Sequence, residues 1–495
     1  MINLLLLVPL AGFLACLLLK SSARLIALAA SLVVLALSLT LISGVVDNPT
    51  RFSSVTDIRW ITTPDIHYQV GVDGLSLWLV ILTALLTPVA ILAAWNSVSV
   101  KPHLFFGFLL LIELGVIGVF VSLDLFLYYV FWEITLVPVL FLIGMWGTDQ
   151  PGVTRIQAAV KFFIYTMAGS VLMLAAIIYL YTKTGSLRYE IIQAEMGLVP
   201  AAALMPLFLA FFVAFAIKVP LFPLHTWLPD AYTAAPTPVT ILLAGLLSKM
   251  GTYSLIRFGT ALFPQQAQAS AAWIAALAII GILYGALVAI SQPNMKRLAA
   301  YSSVSHLGFV VLGTFAFNAQ GLDGAVYQML NHGISTGALF LMIAYLEQRR
   351  QSLAIADYGG VAKIAPGMAL MFMVVTLASV GLPTLGNFIG EFLILQGAAQ
   401  SSFSWAVFAS IGVILSACYM LWLYQRTFFG ETPDEVRQQV PDLDTREWAA
   451  IVPLVVLMIW MGVSANGFLA PITAKSEAIL KKPAVKAAVQ AEVVR

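Results

Sequence analysis

Residues 201–223 read AAALMPLFLAFFVAFAIKVPLFP, an apolar run that ends in a lysine and two prolines. A helix that spans a bilayer needs about 20 largely apolar residues, so this run is long enough to cross. Lys218 lies inside it, where a charged side chain costs at least ~2.5–3.5 kcal/mol on insertion scales. Pro220 and Pro223 lack an amide proton and disrupt the hydrogen bonds of a helix. The run predicts a membrane helix that breaks beside a buried charge.

The composition of the whole chain agrees with this prediction. Of its 495 residues, 61% are hydrophobic and 10% are charged, whereas a soluble protein has roughly 25% charged residues. A mean hydropathy of +0.96 excludes a soluble enzyme, a disordered chain and a nucleic-acid binder. The net charge of +2 is too small to indicate a polyanionic partner. Cys16 and Cys418 both lie in apolar runs, which excludes a disulfide framework or a thiolate cluster.

Apolar runs predict an all-α polytopic membrane protein with about 14 transmembrane helices in contact with the lipid bilayer. The runs cover 2–19, 25–46, 75–95, 104–122, 125–147, 156–181, 201–224, 238–261, 272–291, 299–319, 323–346, 366–399, 403–425 and 448–470. The longest connections are 47–74, 182–200, 426–447 and a tail from 471.

The distribution of cations predicts the orientation, because cytoplasmic loops carry an excess of Lys and Arg. The odd-numbered loops hold Lys20, Arg24, Lys101, Arg155, Lys296, Arg297, Arg349, Arg350, Lys363, Arg426, Arg437 and Arg446, and the even-numbered loops hold Arg51, Arg59, Lys183, Arg188 and Arg257. This bias of twelve to five places the odd loops in the cytoplasm and both termini outside, although the tail cations oppose it.

A few ionisable residues remain inside the predicted helices, where such groups are functional candidates. They are Lys161, Lys218, Lys249, Glu113, Glu133, Glu391, His306 and His332. Some have structural alternatives. Lys161 could extend to the cytoplasmic surface, Glu113 could pair with a polar neighbour, and each histidine could be a neutral hydrogen-bonding group between helices. Two buried lysines with two buried glutamates are harder to explain by stability alone.

A second broken helix and an internal repeat accompany these charges. Residues 381–386 read GLPTLG and precede Glu391 in the overlong twelfth run. An offset of 173 places Glu133 on His306 and Lys218 on Glu391. It maps helices five to seven onto ten to twelve, and because five helices separate the copies, it predicts inverted repeats with discontinuous helices 7 and 12.

The repeat divides the chain into four predicted segments. They are 1–103 with three helices and an outer loop, the first five-helix repeat 104–261, the second repeat 272–425, and 426–495 with a loop, the last helix and a tail. Alternating acid, lysine and histidine is typical of proton transfer, because histidine titrates near neutral pH and a buried lysine can approach it. The sequence contains no phosphate-binding loop, dinucleotide-binding glycine pattern or HExxH metal motif.

Several longer motifs resemble the antiporter-like subunits of respiratory complex I, a proton-pumping NADH:quinone oxidoreductase. They are FWE at 131–133, KVPLFPLHTWLPDA at 218–231, GLLSK at 245–249, NMKRLAAYSSVSH at 294–306 and VDGLS at 72–76. A glutamate at position 391 resembles the branch of the family with subunit M and mitochondrial subunit 4. In subunits L and N, lysine is usual at this position. The resemblance covers essentially the whole chain.

The resemblance implies a proton path and assigns roles to its residues. Glu133 and Lys218 would be a coupled pair, Lys249 a central relay, His306 and His332 a bridge, and Glu391 the exit group. His225 would help connect the cytoplasmic side, and Lys161 and Glu113 are weaker assignments.

The resemblance also implies where this path operates. Other membrane-arm subunits, including the related subunits L and N, would be partners, and protons and water would move through the chain, with no nucleic acid involved. NADH, FMN, iron–sulfur clusters and quinone would bind in partner subunits and no cofactor in this chain. The location would be a bacterial inner membrane, with both termini periplasmic.

Two other functions remain open from the sequence. One is a subunit of a multisubunit cation/proton antiporter or membrane hydrogenase, which would share the fold. The other is a stand-alone secondary transporter of a solute, which would need a polar pocket. The polar groups here are instead spread one or two per helix.

Overall fold

The structure, a computed structural model, describes residues 1–493, with side chains as far as residue 481. Its N-terminal part consists of α1 (Ile2–Leu18), α2 (Ala23–Leu39), α3 (Leu41–Val46), β1 (Ser53–Ile61), β2 (Ile66–Val72) and α4 (Leu77–Ala94). The two strands pair antiparallel within the connection 47–74, which the apolar pattern predicts as a loop.

The first predicted repeat begins with α5. It contains α5 (Pro102–Val121), α6 (Leu125–Ile134), α7 (Leu136–Trp146), α8 (Arg155–Thr184), α9 (Tyr189–Glu195), α10 (Ala201–Lys218), α11 (Trp227–Ala234), α12 (Thr237–Leu242), α13 (Ser248–Ser254) and α14 (Pro264–Ala269). The remaining helices are α15 (Ala271–Ile290), α16 (Met295–Thr314), α17 (Ala319–Arg350), α18 (Pro366–Val380), α19 (Gly386–Ser401), α20 (Phe403–Phe428), α21 (Asp434–Gln439), α22 (Thr445–Val463) and α23 (Asn466–Val493).

Each of the fourteen predicted runs contains a helix, so the all-α polytopic fold is confirmed. Among the described residues, eleven helices are long and apolar enough to cross a membrane, or twelve if the bent pair Ile355–Lys363 and Pro366–Val380 is one span. The count is below fourteen for physical reasons. Helix α1 has only 17 residues, α16 begins with charged residues, and the twelfth run is two shorter helices.

Both predicted helix breaks are present, but they lie on opposite sides of the charges. Helix α10 ends at Lys218 itself, whereas Glu391 lies in α19, after the break that follows Val380. The offset of 173 thus aligns the ionisable residues and not the breaks. Trp227 Nε1 donates to the Ile217 carbonyl at 2.9 Å, which satisfies a backbone group at membrane depth that the prolines leave open.

The eighth run departs from a regular helix in a way that the sequence did not predict. Residues Leu243–Leu247 and Leu255–Thr260 form π-helical turns on either side of α13. Such turns contain one extra residue per turn and often lie at functional sites. Lys249 is the second residue of α13, and α13 follows the first π-helical turn directly.

The C-terminal segment corrects the prediction of a tail after residue 470. Helix α23 runs from Asn466 to Val493, without a break at the predicted end of the last span. Its Ala, Leu, Glu and Lys residues favour a helix, although they are too polar on average for a membrane span. The apolar pattern identified only the part of this segment that is hydrophobic.

Candidate functional site

Four of the predicted residues form a line that runs from the end of the first predicted repeat into the second. Lys249 Nζ lies 2.7 Å from His332 Nδ1, and the rings of His332 and His306 have centroids 5.6 Å apart. His306 Nδ1 lies 2.9 Å from Glu391 Oε1. All four residues are at most 3% exposed. The structure thus brings side chains from α13, α17, α16 and α19 into one buried row.

Local backbone geometry holds both ends of this row. At one end, Lys249 Nζ also donates to the Ala244 carbonyl at 2.6 Å, five residues earlier in the adjoining π-helical turn. At the other end, Gln328 Nε2 donates to Glu391 Oε1 at 3.0 Å. Gln328 and His332 are one turn apart on α17 and therefore face the same side.

Tyr419 is a neighbour of this row that the sequence did not identify. Its hydroxyl lies 3.3 Å from His306 Nε2, and its side chain is fully buried. A tyrosine in an apolar run carries no sequence signal of such a contact. Both ring nitrogens of His306 therefore have partners, Glu391 on Nδ1 and Tyr419 on Nε2.

The first half holds Glu133 and Lys218 differently. Lys218 is 1% exposed, and its Nζ lies 5.2 Å from the ring centroid of Trp132 and 5.7 Å from that of Phe162. Neither Lys218 Nζ nor Glu133 Oε1 has a hydrogen-bond partner in the part of the chain with described side chains. The structure places the lysine in an aromatic, apolar environment without a direct bond to the glutamate.

The backbones of α10 and α13 meet between the two lysines. A Cβ atom on Gly251 would lie 2.9 Å from the Val219 nitrogen, so only glycine allows this approach. Val219 follows Lys218 directly, and Gly251 lies two residues after Lys249. Lys218 and Lys249 are therefore carried by helices in direct contact, although no hydrogen bond links their side chains among the described groups.

Lys161 pairs with Asp230, which lies in the motif at 218–231 and is not among the predicted site residues. Lys161 Nζ lies 2.7 Å from Asp230 Oδ2, and Arg297 donates to Asp230 Oδ1 at 3.2 Å. Asp230 is 8% exposed and lies on α11, just after the break in α10. The sequence signal that could have identified Asp230 is an acidic residue close to a predicted helix break. Lys161, with 35% of its side chain exposed, belongs to this ion cluster and not to the buried row.

His225 and Glu113 lie outside the row. The His225 ring contacts the rings of Phe222 and Tyr284, at centroid distances of 5.6 and 5.2 Å, and its Nδ1 has no hydrogen-bond partner among the described residues. Glu113 is fully buried on α5, and neither of its oxygens has such a partner in the same part of the structure. The fold does not join either residue to the buried row by a hydrogen bond.

Arg257 and Lys296, both counted from the sequence as loop cations, are buried. Lys296 is fully buried, and its Nζ donates to the Ala235 carbonyl at 2.6 Å. Arg257 is 2% exposed and lies 2.6 Å from Asp73, which Lys475 of α23 also contacts at 2.9 Å. Both sit at the ends of apolar runs, where sequence hydropathy cannot separate a loop from a buried helix end.

The cluster of Arg257, Asp73 and Lys475 is a buried ion group that joins three distant segments. Burial alone would raise the pKa of the Asp73 carboxyl, but the charges of Arg257 and Lys475 oppose it and hold the pKa at about 2. The rings of Phe52 and Tyr253 lie 5.1 and 5.4 Å from the Arg257 guanidinium. The Asp73 carboxyl is therefore ionised at neutral pH, and all three side chains are buried.

The described residues contain no group of three or more His, Cys, Asp or Glu side chains placed to hold a metal ion. The row of lysine, histidines and glutamate offers hydrogen-bond donors and acceptors in alternation. Such an alternation is suited to the movement of protons between groups that stay in place.

Comparison with known proteins agrees with the motifs. A family model described as the transmembrane part of NADH:quinone oxidoreductase and Mrp antiporter subunits matches residues 122–416. Over 453 residues the chain is 43% identical to NADH-quinone oxidoreductase subunit M of Rhodobacter capsulatus, covering 89% of this chain and 87% of the relative. It is 41% identical over 420 residues to NADH-ubiquinone oxidoreductase chain 4 of Marchantia polymorpha, covering 85% and 84%.

A solved structure gives the same result for the fold. A chain of respiratory complex I from Thermus thermophilus with bound NADH superposes with a TM-score of 0.89 at 32% identity, covering 97% of this chain and 99% of that chain. The chain therefore belongs to the family of NADH:quinone oxidoreductase and Mrp antiporter membrane subunits.

Proposed function

We propose that this chain is a proton-translocating membrane subunit of an NADH:quinone oxidoreductase, corresponding to subunit M. The observation that carries the proposal is the buried row from Lys249 through His332 and His306 to Glu391. Its relatives at 41–43% identity are named as subunits of that enzyme. Their identity over most of the chain favours this function over that of a cation/proton antiporter subunit.

The row can pass a proton with small movements of its side chains. The Lys249 ammonium can donate to His332 Nδ1 across 2.7 Å, and protonated His306 can donate to the Glu391 carboxylate across 2.9 Å. Between the two imidazoles, a water molecule can bridge the gap at little cost. After each transfer, the donor takes up a proton from the preceding group of the row and so returns to its starting form.

The first half would supply this row. Glu133 favours the charged form of Lys218, and separating the two favours release of the lysine proton. Because Lys218 lacks a hydrogen-bond partner among the described residues, its charge depends on such longer-range interactions. A change in the distance from Glu133 to Lys218 would thus control when Lys249 receives a proton.

The partner subunits would perform the redox chemistry. NADH, FMN, iron–sulfur clusters and quinone are proposed to bind there, with subunits L and N as related neighbours in the membrane arm. We place the chain in a bacterial inner membrane with both termini in the periplasm, as the bias of loop cations indicates. A solute transporter is disfavoured because the polar groups form a row and not a pocket.

The function is tested with Lys218→Ala and Glu133→Ala in the complete enzyme, reconstituted in liposomes. Both variants should assemble and oxidise NADH, and each should sharply lower the ratio of protons pumped to electrons transferred. Loss of a general acid or base typically slows proton transfer by about 10²–10⁴-fold, so the contribution of this subunit should vanish. A normal ratio in Glu133→Ala would show that the assignment of this pair is wrong.

A further inference from the structure

A cavity lies on the side of the even-numbered loops, between α17, α19 and α23. Its volume is about 570 Å³, and its lining includes Asp323, Leu393, Thr473, Ala474 and Glu477. Two of these side chains are acidic, which is unusual for a chain with so few charges. The even-numbered loops form the side proposed as periplasmic, so the cavity lies where protons would leave.

Asp323 is the buried acid of this cavity. It is 8% exposed, and Thr473 donates to its Oδ2 at 2.6 Å, while Oδ1 has no hydrogen-bond partner among the described residues. Glu477 lies one helical turn beyond Thr473 on α23 and is exposed. The two acids thus line the cavity from its buried wall to its exposed rim.

The cavity also lies close to the end of the buried row. Leu393 follows Glu391 by two residues on α19, a rise of about 3 Å. On α17, Asp323 precedes Gln328 by five residues, or about 7.5 Å along the axis, and Gln328 donates to Glu391. A Cβ on Gly324 would lie 2.6 Å from the Ile394 nitrogen, so α17 and α19 are in backbone contact beside the cavity. Gln328, which contacts Glu391, and Asp323 are therefore about 7.5 Å apart along α17, on a segment packed directly against α19.

We propose that Asp323 accepts the proton that leaves Glu391 and releases it through this cavity, with Glu477 at the rim. This inference rests on the proposed function. In the transfer, the Glu391 carboxyl loses its proton to water, and water passes a proton to the Asp323 carboxylate. Asp323 then loses the proton to the solvent in the cavity, and His306 restores the proton on Glu391. No charge accumulates, since each carboxylate returns to its starting form.

The experiment compares variants of the complete enzyme reconstituted in liposomes, with the ratio of protons to electrons as the readout. Asp323→Asn retains the size of the side chain and an acceptor for Thr473, and should lower the ratio to the level of Glu391→Gln. Asp323→Glu, which restores a carboxylate, should recover pumping, whereas a purely structural role would give no such recovery. The matched control is Asp47→Asn, an exposed aspartate on the same side that does not line the cavity.

A second variant does not depend on Asp323. Ala474→Trp fills the cavity from α23 without removing a charge and should lower pumping in the same way. The proposal is overturned if Asp323→Asn, or Ala474→Trp in case the first variant does not assemble, pumps normally while Glu391→Gln does not. If Glu391→Gln also pumps normally, the proposed function itself fails, so the two failures can be distinguished.

Discussion

The two broken helices hold their charges in opposite ways. At the first break, Lys218 ends α10, faces the rings of Trp132 and Phe162, and makes no hydrogen bond to the described residues. At the second break, Glu391 accepts bonds from His306 and Gln328 through one oxygen. The predicted repeat therefore places an ionisable side chain without a hydrogen bond in one half and a hydrogen-bonded one in the other. This difference agrees with the proposed function, in which Glu133 and Lys218 control when a proton enters the buried row.

The two halves also differ at the ends that lie on the side of the even-numbered loops. In the first half, Arg257 and Lys475 surround Asp73 behind aromatic rings, which closes that end with buried charges. In the second half, Asp323 and Glu477 line an open cavity. A fixed cation repels protons, and an acid accepts them. This difference agrees with a lateral path from Lys249 to Glu391 before protons leave.

The largest effect on this comparison should come from breaking the row at Lys249, where the halves meet. Lys249→Met removes the ionisable group and keeps an apolar side chain of similar length, so proton transfer should slow by about 10²-fold or more. The complete enzyme in liposomes should then lose the whole contribution of this subunit to the ratio of protons to electrons. Ser248→Ala is the matched control, because it removes only a hydroxyl bonded to the same Ala244 carbonyl. Normal pumping by Lys249→Met would contradict a path through the row.

An intermediate effect is expected from exchanging the charge at the second break. Glu391→Lys keeps an ionisable group, and Gln328 can rotate its amide so that the presently unbonded Oε1 accepts from the lysine. Glu391→Ala leaves no proton carrier, so pumping should fall further in Glu391→Ala than in Glu391→Lys. The ratio of protons to electrons measures both. An equal loss in the two variants would argue against a simple relay at this position.

The smallest effect should follow a change at the ion cluster of Lys161, Asp230 and Arg297, which lies outside the row. Lys161→Met removes a partly exposed pair with Asp230, and such pairs contribute about 1 kcal/mol or less. The melting temperature of the purified enzyme should fall by about 2 °C or less. Comparison with Asp230→Asn and with the double variant isolates the pair energy. A loss of pumping as large as that of Lys249→Met would instead place Lys161 in the proton path.

The sequence pattern selected all four residues of the row but not their contacts. An ionisable group in an apolar run is visible without a structure, which is why Lys249, His306, His332 and Glu391 were all identified. The offset of 173 treated His306 and Glu391 as counterparts of Glu133 and Lys218, and the structure adds that they are in contact. Gln328 is not among the predicted residues, because the prediction selects ionisable groups and its amide is neutral.

The ion cluster of Arg257, Asp73 and Lys475, in contrast, could not be predicted from the sequence. Arg257 is at the end of an apolar run, Asp73 is in a predicted loop and Lys475 is in a predicted tail, so hydropathy marks none of them as buried. Their burial arises only when α13 and the π-helical turn after it pack against the N-terminal segment and α23. Breaking such a buried pair by removing one partner typically costs about 3–5 kcal/mol.

By itself, the sequence determined that this protein is a membrane bundle with two broken helices and a small set of buried charges. Length, hydropathy and proline positions are properties of each helix by itself and do not depend on how the helix packs. Only the tertiary structure decided which charges meet, since contacts among α13, α16, α17 and α19 depend on helix packing. The row from Lys249 to Glu391 forms because close packing in the membrane leaves each buried polar group to be satisfied by its nearest neighbours.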